Sequence, residues 1–219
     1  MIRIYFWKVP SSRILWAILH MALDRIPLKR NRSISFWKLL GTGKGETFTP
    51  RDADARRWGL LVVIDPQALK RFEDSVVARW RRIALDEFSA TLQTISSHGS
   101  WSGKTPFHLT ESINSHNNEV VAITRARIKL HKNFRFWSSV PPVTGALRDS
   151  AGLIEAIGIG EAPLGLQGTF SLWRDDHSLK EFAYRSGAHT NVIKATHREQ
   201  WYAEELFARF EVIDKAGAL

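Results

Sequence analysis

Two histidines, His189 and His197, stand eight positions apart in the stretch Asp175 to Phe210, among Phe182, Tyr184, Trp201, Tyr202, Phe207 and Phe210. If the chain between them is helical, eight residues turn through about 800° and bring the two imidazoles within roughly 80° of each other on one broad face. A neutral imidazole in such aromatic surroundings is able to act as the single axial ligand of a haem iron, with the opposite face left open. The same pair also fits a half-exposed helix that binds nothing. Glu204 and Glu205 follow. A carboxylate there could orient a ligating histidine through its other ring nitrogen, or pair along a helix with Arg198 or Arg209. Asp175-Asp176-His177 offers donors for a hard metal. Ahead of Leu179 and Phe182 it reads more simply as a helix cap, with negative charge at the positive helix end.

Other chemistries find little support. There are no cysteines, which removes disulfides, thiolate nucleophiles and a thiolate-ligated haem. No Gly-x-Ser-x-Gly elbow and no His-Glu-x-x-His is present. Lys38-Leu39-Leu40-Gly41-Thr42-Gly43-Lys44-Gly45 is glycine-rich but matches neither the Walker nor the dinucleotide spacing, so it reads as a flexible turn. The net charge of +9 admits nucleic acid, an anionic membrane surface or an acidic protein as partner. No nucleic-acid motif accompanies the charge, so no nucleic acid is expected. Nine tryptophans suit large apolar pockets and membrane interfaces. No run of 18 apolar residues occurs, and Met1 to Arg13 lacks the pattern of a signal peptide, so the expected location is cytoplasmic, with peripheral contact at the inner face of a membrane.

The elements that must position these residues are legible from periodicity. Ile2, Ile4 and Phe6 alternate as a strand, and Pro10-Ser11-Ser12 starts a helix with serine as cap and Pro27 as its end. Ser33 to Leu40, Arg57 to Asp65 and Glu87 to Ser96 read as strands. Between the last two, a helix opens at Pro66 and breaks near Ser75. In the second half, Val120 to Ile128, Leu153 to Gly160 and Thr169 to Arg174 read as strands. Phe134 to Val140 reads as a short helix, and Asp175 opens another. This is β-α-β-β-α-β repeated, the ferredoxin-like order. The halves share short matches: Leu40-Gly41-Thr42-Gly43 with Ile157-Gly158-Ile159-Gly160, and Asp65 plus Leu69-Lys70-Arg71-Phe72 with Asp175 plus Leu179-Lys180-Glu181-Phe182.

The expected class is therefore α+β: two fused ferredoxin-like halves, 1–98 and 119–219, form a dimeric-α+β-barrel-like unit. They are joined by a polar linker, 99–118, whose Trp101 and Phe107 suggest that it folds back. The barrel interior, or the gap between a sheet and its helices, is the place for a flat apolar ligand.

A family resemblance rests on several segments. These are Phe36 to Gly43, Trp101-Ser102-Gly103 with Pro106-Phe107, Leu130 through Trp137 to Pro141, and Gly158-Ile159-Gly160-Glu161 with Pro163. Thr169 to Trp173, Phe182-Ala183-Tyr184 with His189, and the tail Trp201 to Phe210 complete the set. From Phe36 to Phe210 the chain resembles the spheroidene monooxygenases. The first 35 residues and the last nine match less well. The resemblance implies an oxygen-dependent enzyme containing haem iron. Such an enzyme places a keto group on an acyclic carotenoid by successive hydroxylations and loss of water, with reduced ferredoxin or a similar donor supplying electrons. It implies a haem-binding dimeric α+β barrel, whose related haem barrels include dehydratases and haem-degrading enzymes. On this basis His189 is the expected axial ligand and catalytic residue, with His197 second. Tyr184, Arg185 and Arg125 are candidates for the haem edge and propionates. Trp37, Trp101, Phe107, Phe170 and Trp173 are candidate walls of the substrate pocket, and each also fits core packing. A haem enzyme of another class, dehydratase-like, and a metal-free binding protein for an apolar ligand are the competing readings.

Overall fold

The computed structural model describes residues 1–45, 52–109, 118–128, 147, 150–161, 168–185 and 202–219. His189, His197, Trp201 and the segment Phe134 to Val140 lie outside the described residues.

Eight strands form one closed antiparallel barrel: β1 (Ile2–Lys8), β2 (Ile34–Gly43), β3 (Ala53–Ile64), β4 (Asp86–Gly99), β5 (Val120–Ile128), β6 (Leu153–Gly160), β7 (Gly168–Trp173) and β8 (Tyr202–Ala216). The order around the barrel is β1-β3-β2-β6-β7-β5-β8-β4. Within residues 1–99 it runs β4-β1-β3-β2, and within residues 120–216 it runs β8-β5-β7-β6, the same internal sequence. Two seams join the halves edge to edge. At the first, Gly41 faces Gly160 and Thr42 faces Ile159, so the two matching glycine motifs pair with each other. At the second, β4 pairs with β8 from Ser89↔Ala216 to Gly99↔Leu206.

The barrel is solid. Every strand sends alternate side chains inward. Ile4, Phe6, Leu40, Leu61, Phe88, Ile123, Ile157, Phe170 and Phe210 belong to one buried cluster. Phe6 and Phe170 meet edge to face at 5.1 Å, and Phe107 and Phe210 at 4.9 Å. Eight strands enclose a lumen of the width that such side chains fill, and the described interior residues form a core.

Outside the first half, α1 (Ile14–Leu23), α2 (Arg25–Arg30), α3 (Leu69–Phe72) and α4 (Ala78–Arg81) cover Tyr5, Trp7, Leu39, Leu60 and Val62. Trp7 stacks on Trp80 at 5.2 Å. The break expected near Ser75 is a π-helical turn, Glu73–Val77, between α3 and α4. On the second half's outer face, α5 (Asp176–Arg185) packs Leu179 and Phe182 over Trp173.

Four local expectations are corrected. Serine does not cap the first helix: Pro10 occupies the cap of a 3-10 turn, Ser11–Arg13, with no side-chain bond. Pro27 does not end that helix. The break falls at Asp24, and Pro27 lies in the first turn of α2, where its missing N–H costs nothing. The glycine-rich stretch is not a turn at its start, because β2 continues through Gly43. The region of Glu204 and Glu205 is not a helix but part of β8, so neither carboxylate pairs along a helix.

Candidate active site

Charged residues from both halves meet at one end of the barrel. Lys38, Arg125 and Glu204 stand at inward positions of β2, β5 and β8, in step with Leu40, Ile123 and Leu206, and Glu161 follows β6. Glu161 accepts from Lys38 Nζ (2.5 Å), from the Trp101 indole (2.5 Å) and from Arg125 Nε (3.1 Å). Glu204 pairs with the Arg125 guanidinium and accepts from the Gly103 amide (2.7 Å) and the Ser100 hydroxyl (3.1 Å). Lys38 also donates to Ser102 Oγ at 2.5 Å. The segment after β4 thus folds back across the barrel end. Trp101 and Phe107 drop into the interior cluster, and Trp101 and Lys104 form an isolated bridge.

Electrostatics make this a lock. Burial alone would raise the Glu161 carboxyl, but the Lys38 and Trp101 hydrogen bonds and the charges of Lys38 and Arg125 outweigh it and hold it below its ordinary value. Burial opposes ionisation of Glu204 too, yet the Gly103 amide, Arg125, the Ser102 amide and Ser100 bring it down to about 2. Both groups stay ionised near neutral pH, far from the range in which a carboxyl exchanges protons usefully.

The outer face of the second half has a different character. Antiparallel register sets Ala122 beside Ser171 and Ser171 beside Ala156; the next row is Thr124, Thr169 and Gly158. Ala122, Ser171, Ala156 and Thr169 are buried. Ser171 Oγ donates to the Ala122 carbonyl (3.4 Å) and accepts from the Trp173 indole (2.9 Å), so the row is internally satisfied. Pairing Gly41 with Gly158 as equivalents gives the first half's rows as Tyr5–Leu60–Leu39 and Trp7–Trp58–Gly41. Where one half lays down tryptophan, tyrosine and leucine, the other lays down alanine, serine and threonine. This floor of small side chains lies beneath the layer to which α5 belongs. Asp175 caps α5 by accepting from the Ser178 amide (2.7 Å), which with the Ser178 side chain lowers its carboxyl pKa. Asp176 holds Arg209 of β8 at 2.8 Å. The Asp175-Asp176-His177 triplet is therefore occupied, for its two carboxylates, in capping and tethering.

The residues expected from sequence do not gather in one pocket. Trp101, Phe107 and Phe170 are interior core; Trp37 packs against the outer layer of the first half; Trp173 lies under α5 on the second. Arg125 has the charged partner that a strand arginine needs, but it is Glu161 and Glu204, and it points away from the small-residue floor. The backbone of Tyr184 and Arg185 forms the last turn of α5. Sequence reasoning missed Lys38, Glu161 and the floor. The floor was detectable: Val120 to Ile128 alternates Val121, Ile123 with Ala122, Thr124, Ala126, whereas Ile2 to Lys8 alternates Ile4, Phe6 with Tyr5, Trp7.

No protein-family model matches the chain. Two crystal structures of aldoxime dehydratase, one in complex with butyraldoxime, superpose with TM-scores of 0.58 and 0.59 at 11% identity. Each covers 97% of this chain, and 81% and 79% of the other; at this identity the likeness is one of fold. Sequence relatives are nearer. The spheroidene monooxygenase of Rhodobacter capsulatus is 38% identical over 213 residues, 95% of this chain and 88% of that protein. The enzyme of the same name from Rubrivivax gelatinosus is 31% identical over 216 residues, covering 95% and 80%. That of Cereibacter sphaeroides is 34% identical over 207 residues, of which this chain spans 63% of the length. An identity of this size over 95% of the chain makes it a member of the spheroidene monooxygenase family, an oxidoreductase of the monooxygenase type.

Proposed function

We propose that the protein is a haem-dependent enzyme that uses dioxygen and an external reductant, a reduced ferredoxin or similar donor, to place a keto group on an acyclic carotenoid of the spheroidene type. The observation that carries this reading is the alignment over 95% of the chain with a relative named for that substrate. The repeated strand order, the pairing of the two glycine motifs across one seam and the aspartate caps at Asp65 and Asp175 support a duplicated ferredoxin-like half as the origin of the barrel.

The cofactor's seat, in this reading, is the outer face of the second half. Ala122, Ser171 and Ala156, with Thr124, Thr169 and Gly158, form a floor of small side chains at the register positions that Tyr5, Leu60, Trp7 and Trp58 take on the first half. His189 is the proposed axial ligand, with His197 the second choice, and Tyr184 and Arg185, in the last turn of α5, are the proposed contacts to the porphyrin edge. Bound haem supplies dioxygen activation, chemistry that no side chain provides. The chain's own part is positioning. The Lys38–Glu161–Arg125–Glu204 lock fixes β2, β5, β6 and β8 to one another, so that the floor keeps its shape, as a preorganised site requires. Arg125, held in that lock, takes a positioning role in place of the propionate contact expected from sequence.

The test is a haem titration followed by absorption. The expected outcome is a Soret band in the wild type and in His197→Ala, and none in His189→Ala. Ala122→Leu and Ala156→Leu, which raise the floor, lose the band while far-ultraviolet circular dichroism is unchanged. An undiminished band in both leucine variants moves the seat elsewhere. Oxygen uptake with reduced ferredoxin and spheroidene then decides the reaction: turnover without dioxygen would point to dehydratase-type chemistry.

A further inference from the structure

Helix α1 is apolar on both faces, and its outward stripe has no partner among the described residues. Leu15, Ile18, Leu19, Leu23 and Ile26 recur at one-turn spacing across α1 and α2 and are 45 to 81% exposed. The face turned inward packs Ala17, Leu28, Trp16 and Met21 against the core and also carries two polar groups, His20 and Asp24. Asp24, 1% exposed, accepts from the Trp80 indole (2.8 Å) and from Arg79 (2.5 Å) and contacts His20 at 3.3 Å. His20 stacks on Trp16 at 3.8 Å, and Trp16 meets Trp80 edge to face at 5.3 Å. These contacts fix the rotation of the helix, so the stripe cannot turn inward. Around it stand exposed Arg13, Arg25, Lys29, Arg30 and Arg32. From Met1 to Gly45 the one acidic residue is Asp24, already neutralised by Arg79.

We propose that α1 and α2 form a docking face for an anionic lipid bilayer. Aliphatic side chains enter the boundary between headgroups and acyl chains, and the surrounding cations meet lipid phosphates. Charge complementarity selects this occupant: a second copy of the chain would bring the same ring of cations against itself. The inference deepens the carotenoid reading, since a substrate of that class is dissolved in lipid, and it gives the enzyme an orientation on the membrane. It requires no spanning segment, and among the described residues no helix is long and apolar enough to cross a bilayer.

The test is co-sedimentation with pigment-free vesicles of mixed phosphatidylglycerol and phosphatidylcholine, compared with phosphatidylcholine alone. The variants are Leu15→Ser/Ile18→Ser/Leu19→Ser and Arg25→Gln/Lys29→Gln/Arg30→Gln. All six positions are exposed, and thermal midpoints verify that the fold is kept. The wild type is expected on the anionic vesicles. The serine variant loses affinity by about tenfold or more, and the glutamine variant loses the preference for anionic lipid. Detergent-dispersed carotenoid is oxygenated equally by the wild type and the serine variant. Equal vesicle binding by wild type and serine variant would overturn the proposal. So would a wild-type dimer that the serine variant converts to monomer, which would assign the face to a second copy. Vesicle binding without any carotenoid turnover leaves the docking face standing and removes the reaction.

Discussion

Arg125 bridges two carboxylates at the closed end of the barrel, and its side chain is 11% exposed. Replacing it with leucine leaves Glu161 with Lys38 and Trp101, and Glu204 with Ser100 and the Gly103 amide. Each keeps hydrogen bonds but loses a cation in partly buried surroundings. The expected loss is about 3 kcal/mol, read as a lower urea midpoint with an unchanged slope. Glu204 makes a complementary prediction in acid. Its folded-state pKa of about 2 lies below its ordinary 4.5, so its stabilisation is complete above the ordinary value and fades as pH falls from there toward the folded value. Glu204→Gln removes that part of the acid dependence, and urea midpoints measured through the carboxylate range will fall less steeply than in the wild type. Of this cluster the sequence disclosed only that Arg125, in an apolar strand, needs a charged partner. The partners themselves come from positions 36 and 79 residues away, and no local pattern encodes such distances.

Single elements were easier to read than their ends. Seven of the eight strands, β1 to β7, fall on alternating or continuous apolar runs, because a strand's period of two survives any tertiary setting. Boundaries slipped where tertiary pairing prolonged an element: β2 runs on through its glycines because β6 is there to pair with them, and β4 continues to Gly99 against β8. The tail's aromatic and acidic residues, read as helix, became β8 because two neighbouring strands, β4 and β5, offer it hydrogen bonds on both sides. The β4–β8 seam ends at each side on a left-handed glycine. Gly99, with φ +88°, would place a Cβ 2.1 Å from the Glu205 carbonyl, and Gly217, with φ +78°, one at 1.9 Å from the Glu87 carbonyl. Gly103, with φ +70°, faces open space. Gly99→Ala is therefore expected to cost about 3 kcal/mol or more, from strain plus backbone clash, and Gly103→Ala only about 1 kcal/mol, from strain alone. Thermal denaturation of the two variants side by side separates steric from conformational cost.

At the scale of the molecule, two halves with the same internal strand order form a barrel with a shared interior and two unlike exteriors. One is packed with tryptophan and leucine, the other floored with alanine, serine and threonine. Because both halves fill one interior, removing β8 opens β4 and β5 together and exposes Phe210's place in the core. A chain ending before Tyr202 is expected to aggregate and to bind a hydrophobic dye strongly.

The closing strand also fixes a timetable. β8 is the last of the eight to leave the ribosome, yet its partner β4 is made more than a hundred residues earlier. Until it arrives, the strands already synthesised hold an unclosed sheet with a bare hydrophobic inner surface. Contacts separated this widely along the chain are the slow ones to form. The nascent protein is therefore expected to be exposed to aggregation until β8 is made, and its yield in a cell is expected to rise with chaperone supply.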